Sequence, residues 1–128
     1  MLTRPDHTIW RREHARRAAV LIDAAPYFGA ARAAMLKARS QIFILGWDIH
    51  SRVPLVGESG HADDGYPEPF GEFLSALARE RPKLKIYVLL WDFAAFYASE
   101  REVLPVMSLQ WRTPPGVSFA LDDAVPFG

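Results

Sequence analysis

The chain contains no cysteine. A disulfide framework, a cysteine-ligated zinc site and a cysteine nucleophile are therefore excluded. The redox compartment stays open. An excess of one charge is also missing. Fifteen basic and fifteen acidic residues give a formal net charge of zero, so nothing indicates a generally nucleic-acid-binding surface. Long apolar runs are absent. The longest, Ile42 to Trp47 and Ile86 to Trp91, fall far below the ~20 residues of a membrane span. The opening Met1-Leu2-Thr3-Arg4-Pro5-Asp6-His7 has no apolar core of the kind a signal peptide needs. A cytoplasmic or peripheral-membrane place is favoured, and the compartment is otherwise undetermined.

Several catalytic and binding motifs are missing too. No Gly-x-Gly-x-x-Gly follows an apolar strand, and no Gly-x4-Gly-Lys-Ser/Thr occurs, which argues against nucleotide-phosphate loops. No serine sits in a Gly-x-Ser-x-Gly elbow. His7, His14, His50 and His61 have no histidine partner at i, i+4, so no helical zinc pair exists. Lysine is scarce: only Lys37, Lys83 and Lys85. The remaining basic residues are arginines, whose planar fork suits phosphate, although a plain compositional bias explains them equally well.

What remains is a globular composition, half hydrophobic, over 128 residues, which suits one small domain. Residues 1–17 read as a basic leader carrying Arg11, Arg12, Arg16 and Arg17. It can be a short helix or a loose arm, solvated or touching acidic phospholipid heads. Residues 18–128 read as one α/β unit. Ala18 to Asp23 is a short apolar run that predicts a buried strand. Pro26 stands at a first helical position. Tyr27, Phe28, Ala31, Ala34, Met35 and Ala38 then recur at helical spacing, with Arg32, Lys37 and Arg39 elsewhere on the wheel. Gln41 to Ile49 predicts a central strand, apolar on both faces.

Residues 50–67, with Gly57, Gly60, Gly65 and the pair Asp63-Asp64, form a long loop. Pro69 to Arg81 predicts a second helix with a stripe of Phe70, Phe73, Leu74 and Leu77, ended by Pro82. Leu84 to Asp92 predicts a strand, and Phe93 to about Leu109 a third helix broken near Pro105. Thr113 to Gly116 marks a turn, and Val117 to Leu121 a last strand. Strands alternating with amphipathic helices imply a parallel or mostly parallel sheet with flanking helices.

Each predicted strand ends in an acid: Asp23, Asp48, Asp92 and Asp122. A parallel sheet would bring these carboxylates to one rim, its carboxyl edge, where ligands of open α/β sheets bind. Capping of the following helix is the competing role for Asp23 and Asp92. Asp48 lies in Gly46-Trp47-Asp48-Ile49 before a loop, where capping explains it less well. Such a rim also suits Mg²⁺, but that chemistry needs a lysine on the same rim, and all three lysines fall elsewhere. No metal or other cofactor is expected. His50 is the histidine nearest the rim and a candidate general acid, with a surface-polar role as the alternative. Trp47 and Trp91 each precede a strand-end acid, as a pocket wall or as core packing.

Taken together, Ala18 to Asp23, Ser40 to Ile49, Tyr87 to Phe93 and Leu121 to Gly128 resemble, in this order, the opening of bacterial phospholipase D superfamily proteins. The resemblance implies a two-lobed phosphodiesterase or transphosphatidylase. Each lobe contributes a His-x-Lys-x4-Asp motif. One histidine attacks phosphorus to form a phosphohistidine, and the other protonates the leaving alcohol. The lysines hold the phosphoryl oxygens. Phospholipid or another phosphodiester is the implied substrate, with membrane-surface contact and no metal requirement.

This chain departs from that pattern. No His-x-Lys occurs; His50-Ser51-Arg52 comes nearest, with Gly57 where the acid should stand. No catalytic residue carries over, and Trp47 and Asp48 are the candidates for lining a substrate site. In similar proteins the first motif begins shortly after a segment like Asp122 to Gly128. The expectation is an incomplete phospholipase D-type lobe, inactive alone, with an unpaired edge and uncovered faces that promote self-association. A non-catalytic binding or structural module of the same fold is the rival reading.

Overall fold

The computed structural model describes residues 9–46, 49–91 and 115–122. Among them the chain forms helix α1 (Ala24–Lys37), strand β1 (Gln41–Gly46), helix α2 (Phe70–Glu80), strand β2 (Lys85–Trp91) and strand β3 (Val117–Asp122). The strands make one sheet in the order β1-β2-β3. Both pairings are parallel, with Ile42 beside Ile86 and Ile86 beside Val117. The fold is therefore α/β with an all-parallel sheet.

Register and periodicity together decide where the core lies. Ile42, Ile86, Val88, Leu90 and Val117 are buried on one face, with Ile44 and Phe119 partly buried beside them. Both helices pack on this face. In α2 the predicted stripe of Phe70, Phe73, Leu74 and Leu77 is buried as a set. The Arg81 N–H bonds to Leu77 O at 2.9 Å to close that helix, and Pro82 cannot extend it. From α1, Phe28, Met35 and Leu36 reach the same core.

β3 needs a glycine to start. Gly116 has φ 105°, and a Cβ there would lie 3.1 Å from Leu84 O. Its carbonyl accepts the Ile86 N–H at 2.8 Å, which locks the first rung of the β2–β3 ladder.

Four expectations need correction. Residues 18–23 form no strand, and Val20, Leu21 and Ile22 are exposed. An apolar run becomes a strand only where a neighbour takes its backbone groups, and among the described residues β1 pairs on one side only. Among the described residues β1 is accordingly an edge strand, not a central one. Its described residues are Gln41–Gly46, and Phe43 and Leu45 are 63% and 73% exposed. α1 begins at Ala24, so Pro26 sits third in the helix, still within the first turn where no N–H finds an intrahelical partner. The stripe of α1 is also rotated from the predicted one: Tyr27 and Ala34 face solvent, and Arg32 is buried. The predicted helix from Phe93 to about Leu109 lies outside the described residues. No described helix is long and apolar enough to cross a membrane.

The outer face of the sheet carries Phe43 beside Tyr87 and Leu45 beside Leu89. The two aromatic rings stack at 4.9 Å. No described element covers them. An apolar sheet face open to water drives association. Sedimentation velocity of the full chain should show concentration-dependent self-association, and F43T/L45T should shift it toward monomer. A sharp, concentration-independent unfolding transition of a monomeric wild-type chain would contradict this.

Candidate functional site

The loop between β1 and α2 builds an apolar site. Its two ends are zipped together. Leu55 N–H bonds to Glu68 O at 2.8 Å, Phe70 N–H to Val53 O at 2.9 Å, and Gly71 N–H to Ser51 O at 2.8 Å. Pro54 and Pro69 form an isolated antiparallel bridge. A chain that folds back on itself in this way is a compact surface loop, a common carrier of function.

Arg32 of α1 pins the loop from beneath. Its side chain is buried, and all five guanidinium donors are used. Nε and Nη2 bind the two carboxylate oxygens of Asp64 at 2.6 Å each. Nη2 also donates to Tyr66 O at 3.0 Å, and Nη1 to Pro67 O at 3.0 Å and Leu55 O at 3.3 Å. The guanidinium lies 4.3 Å from the Phe73 ring centroid, within cation–π range. A buried charge is tolerable only when paired and hydrogen-bonded to this degree. The fork of arginine supplies that geometry and an ammonium cannot.

A second close approach fixes the other side of the loop. A Cβ on Gly29 of α1 would lie 3.0 Å from the Gly57 Cα, so only glycine lets the loop backbone lie against the helix there.

Between α1, the end of β1 and this loop lies a pocket of about 290 Å³. Phe28, Met35, Ile44, Ile49, Val53 and Phe70 supply its walls, and His50 is its one ionisable side chain apart from the Tyr27 phenol. The size is at the lower end of small-ligand pockets, and an apolar lining with few polar groups is their usual make-up. The pocket opens at the carboxyl end of β1, the edge where ligands of parallel sheets bind. His50 Nδ1 accepts the Arg52 backbone N–H at 3.3 Å, which leaves Nε2 as the proton-bearing nitrogen of a neutral ring.

The predicted site residues fare unequally. Trp47 and Asp48 lie outside the described residues, but their neighbours in sequence, Gly46 and Ile49, both line the pocket. Asp92 also lies outside. Asp122 does end a strand and is exposed. Asp23 does not, because its strand is absent. Nor does it cap by its side chain: it occupies the N-cap position of α1 without a side-chain hydrogen bond, at φ 70° and ψ 172°. That conformation is strained for any residue but glycine. The shared rim of four strand-end acids therefore reduces, among the described residues, to Asp122. No described cluster of three or more His, Asp or Glu side chains is placed to hold a metal ion. Sequence reasoning missed Arg32 and Asp64. The available signals were a lone arginine inside an alanine-rich helix and an Asp-Asp-Gly in the loop above it.

Two ionisable groups of the loop are perturbed. The hydrogen bonds from Arg32 hold the Asp64 carboxyl below its usual 3.8, against the opposing effect of burial. The Tyr66 hydroxyl donates to the Glu80 carboxylate, which raises its pKa above the usual 10.0, and burial adds to this. Compared with known proteins, the chain matches no family model and no curated protein.

Arg32→Ala should cost roughly 3–5 kcal/mol of folding stability, because it strands a partly buried carboxylate and three loop carbonyls. Arg32→Lys should recover little of it. Urea unfolding, with limited proteolysis of loop 50–69, measures both. Because the folded pKa of Asp64 is depressed, the stability from its ion pair is fully present above about pH 3.8. That contribution is lost as pH falls through the lower folded value. Acid titration of Asp64→Asn should lack that component, whereas an identical acid limb in both proteins would exclude the linkage.

Proposed function

We propose that this chain furnishes the first α/β lobe of a phospholipase D-type phosphodiesterase or transphosphatidylase acting on phospholipid head groups or related phosphodiesters. Its role is to shape and orient, and the reacting imidazoles and lysines come from residues other than those of this chain. The observation that carries the proposal is the apolar pocket at the carboxyl edge of a parallel sheet. That is the edge from which such chemistry would be presented.

The pocket's lining suits an apolar portion of a substrate, such as the start of an acyl chain. Gly46 and Ile49, which flank Trp47 and Asp48 in the segment on which the family resemblance partly rests, line the pocket. His50 does not substitute for the attacking histidine. Arg52 stands in place of the lysine and Gly57 in place of the acid, and His50 is bonded to its own loop. A phosphoryl transfer that needs an attacking imidazole, a proton donor for the leaving alcohol and cationic clamps has none of the three assembled here.

A second reading has one observation in its favour. The pocket is lined by described residues of this chain alone, so it can hold a small apolar ligand without any further lobe. A non-catalytic α/β binding module would look the same at this pocket.

The purified chain should turn over neither phosphatidylcholine nor a chromogenic phosphodiester above background. Turnover that survives repurification would overturn the proposal, because it would place the catalytic groups inside these residues. Reading the coding DNA past the Gly128 codon separates the two readings. A His-x-Lys-x4-Asp continuation supports the lobe, and a stop codon with a stable product supports the module.

A further inference from the structure

The opposite, amino edge of the sheet carries a second concavity of different character. The α1–β1 turn and the α2–β2 turn lie side by side there, joined by the Lys85 N–H bond to Ser40 O at 2.9 Å. Between them is a cleft of about 470 Å³ lined by Lys37, Arg39, Arg81 and Lys83 over a floor of Leu36 and Leu84. No acidic side chain lines it. In a chain with zero net charge, four cations around one cleft is a marked local excess.

Structural roles account for part of this cluster. Arg81 Nη1 donates to Leu36 O at 2.7 Å and to Ala38 O at 3.3 Å, closing the carboxyl end of α1. Its Nη2 reaches Tyr66 Oη at 3.4 Å. Lys37, in the last turn of α1, complements the helix dipole. Those roles do not extend to Arg39 and Lys83. Arg39 follows the helix, and Lys83 belongs to the turn after α2. Lys37, Arg39 and Lys83 form no ion pair with any described acid. Glu80, the nearest acid in sequence, is engaged by the Tyr66 hydroxyl. No direct ion pair therefore neutralises these three cations within the described residues. A concave site with Arg81 hydrogen-bonded at its wall and three further cations lining it is suited to a compact anion.

We propose that this cleft binds a phosphate group, at a site separate from the apolar pocket on the carboxyl edge. The group is either free inorganic phosphate or the phosphate of an anionic lipid head. The proposal is independent of the phosphodiesterase reading, since it concerns binding at the other end of the sheet.

The test uses the full chain and two charge-matched double variants. K37Q/K83Q removes two cations from the cleft, and R16Q/R17Q removes two from the exposed leader. Far-UV circular dichroism checks that each retains the wild-type fold, and K37R/K83R is a charge-restoring control. Calorimetric titration with inorganic phosphate forms one arm. Flotation with phosphatidylcholine vesicles, with and without phosphatidylglycerol, forms the other. Saturable phosphate binding identifies the free anion, and binding confined to the anionic vesicles identifies the lipid head. In either arm K37Q/K83Q should weaken binding roughly tenfold, while R16Q/R17Q and K37R/K83R should stay near wild type. Absence of binding in both arms overturns the proposal. So does equal weakening by K37Q/K83Q and R16Q/R17Q, which would reduce the effect to general charge.

Discussion

A guanidinium buried beneath loop 50–69 fixes where that loop can run, and most of the carboxyl-edge architecture follows from it. Arg32 could not be buried on α1 without partners for every donor, because an unpaired charge in a low-dielectric interior costs far more than this small domain's whole stability. The loop supplies those partners from four different residues, Leu55, Asp64, Tyr66 and Pro67. It can do so only in one conformation. Once that conformation is set, Leu55 enters the core, Val53 and Phe70 face α1, and the pocket has its outer wall. The ion pair is thus better understood as a device for conformational specificity than as a source of net stability.

The parallel topology gives the molecule two unlike ends. Each helix runs back across the sheet, so the carboxyl ends of α1 and α2 both arrive at the amino edge of the strands. Helix carboxyl ends favour cations, and Lys37 and Arg81 are placed accordingly. The carboxyl edge receives the start of the long loop instead, through Ile49, His50, Val53 and Leu55. An apolar pocket faces one way and a cationic cleft the other. The two concavities share no lining residue, so they are separate sites.

Periodicity in the sequence was legible wherever one face of an element meets the core. The i, i+3, i+4, i+7 spacing of Phe70, Phe73, Leu74 and Leu77 located α2 within a residue or two, and the apolar runs at 42–45 and 86–90 located β1 and β2. It failed where burial depends on a partner rather than on the residue itself. Ala18 to Ile22 is apolar enough for a strand, but strand formation is a property of two segments, and no described strand lies beside it. Arg32 fails in the opposite direction. Its charge reads as solvent-facing, and only the five acceptors brought by a distant loop make its burial favourable. The acids at strand ends were legible as a pattern. Their convergence was not, because it presupposed a strand at 18–23 that the chain does not form.

The outer sheet face bears on the choice between a self-sufficient module and a lobe of something larger. Sheets that keep one face in water alternate apolar and polar residues along each strand, whereas parallel sheets are covered on both faces and read as continuous apolar runs. β1 and β2 follow the second rule. Phe43, Leu45, Tyr87 and Leu89 occupy the outward positions, where a sheet meant for water would carry threonine, lysine or glutamate. The stacked Phe43–Tyr87 pair already shields part of each ring, but Leu45 remains largely exposed. A residue pattern written for two-sided burial, found with one side covered by described elements, implies a further layer on the outer face. Either residues of this chain outside the described ones or a further lobe can meet that requirement. It arises from the strand sequences themselves, independently of any family resemblance.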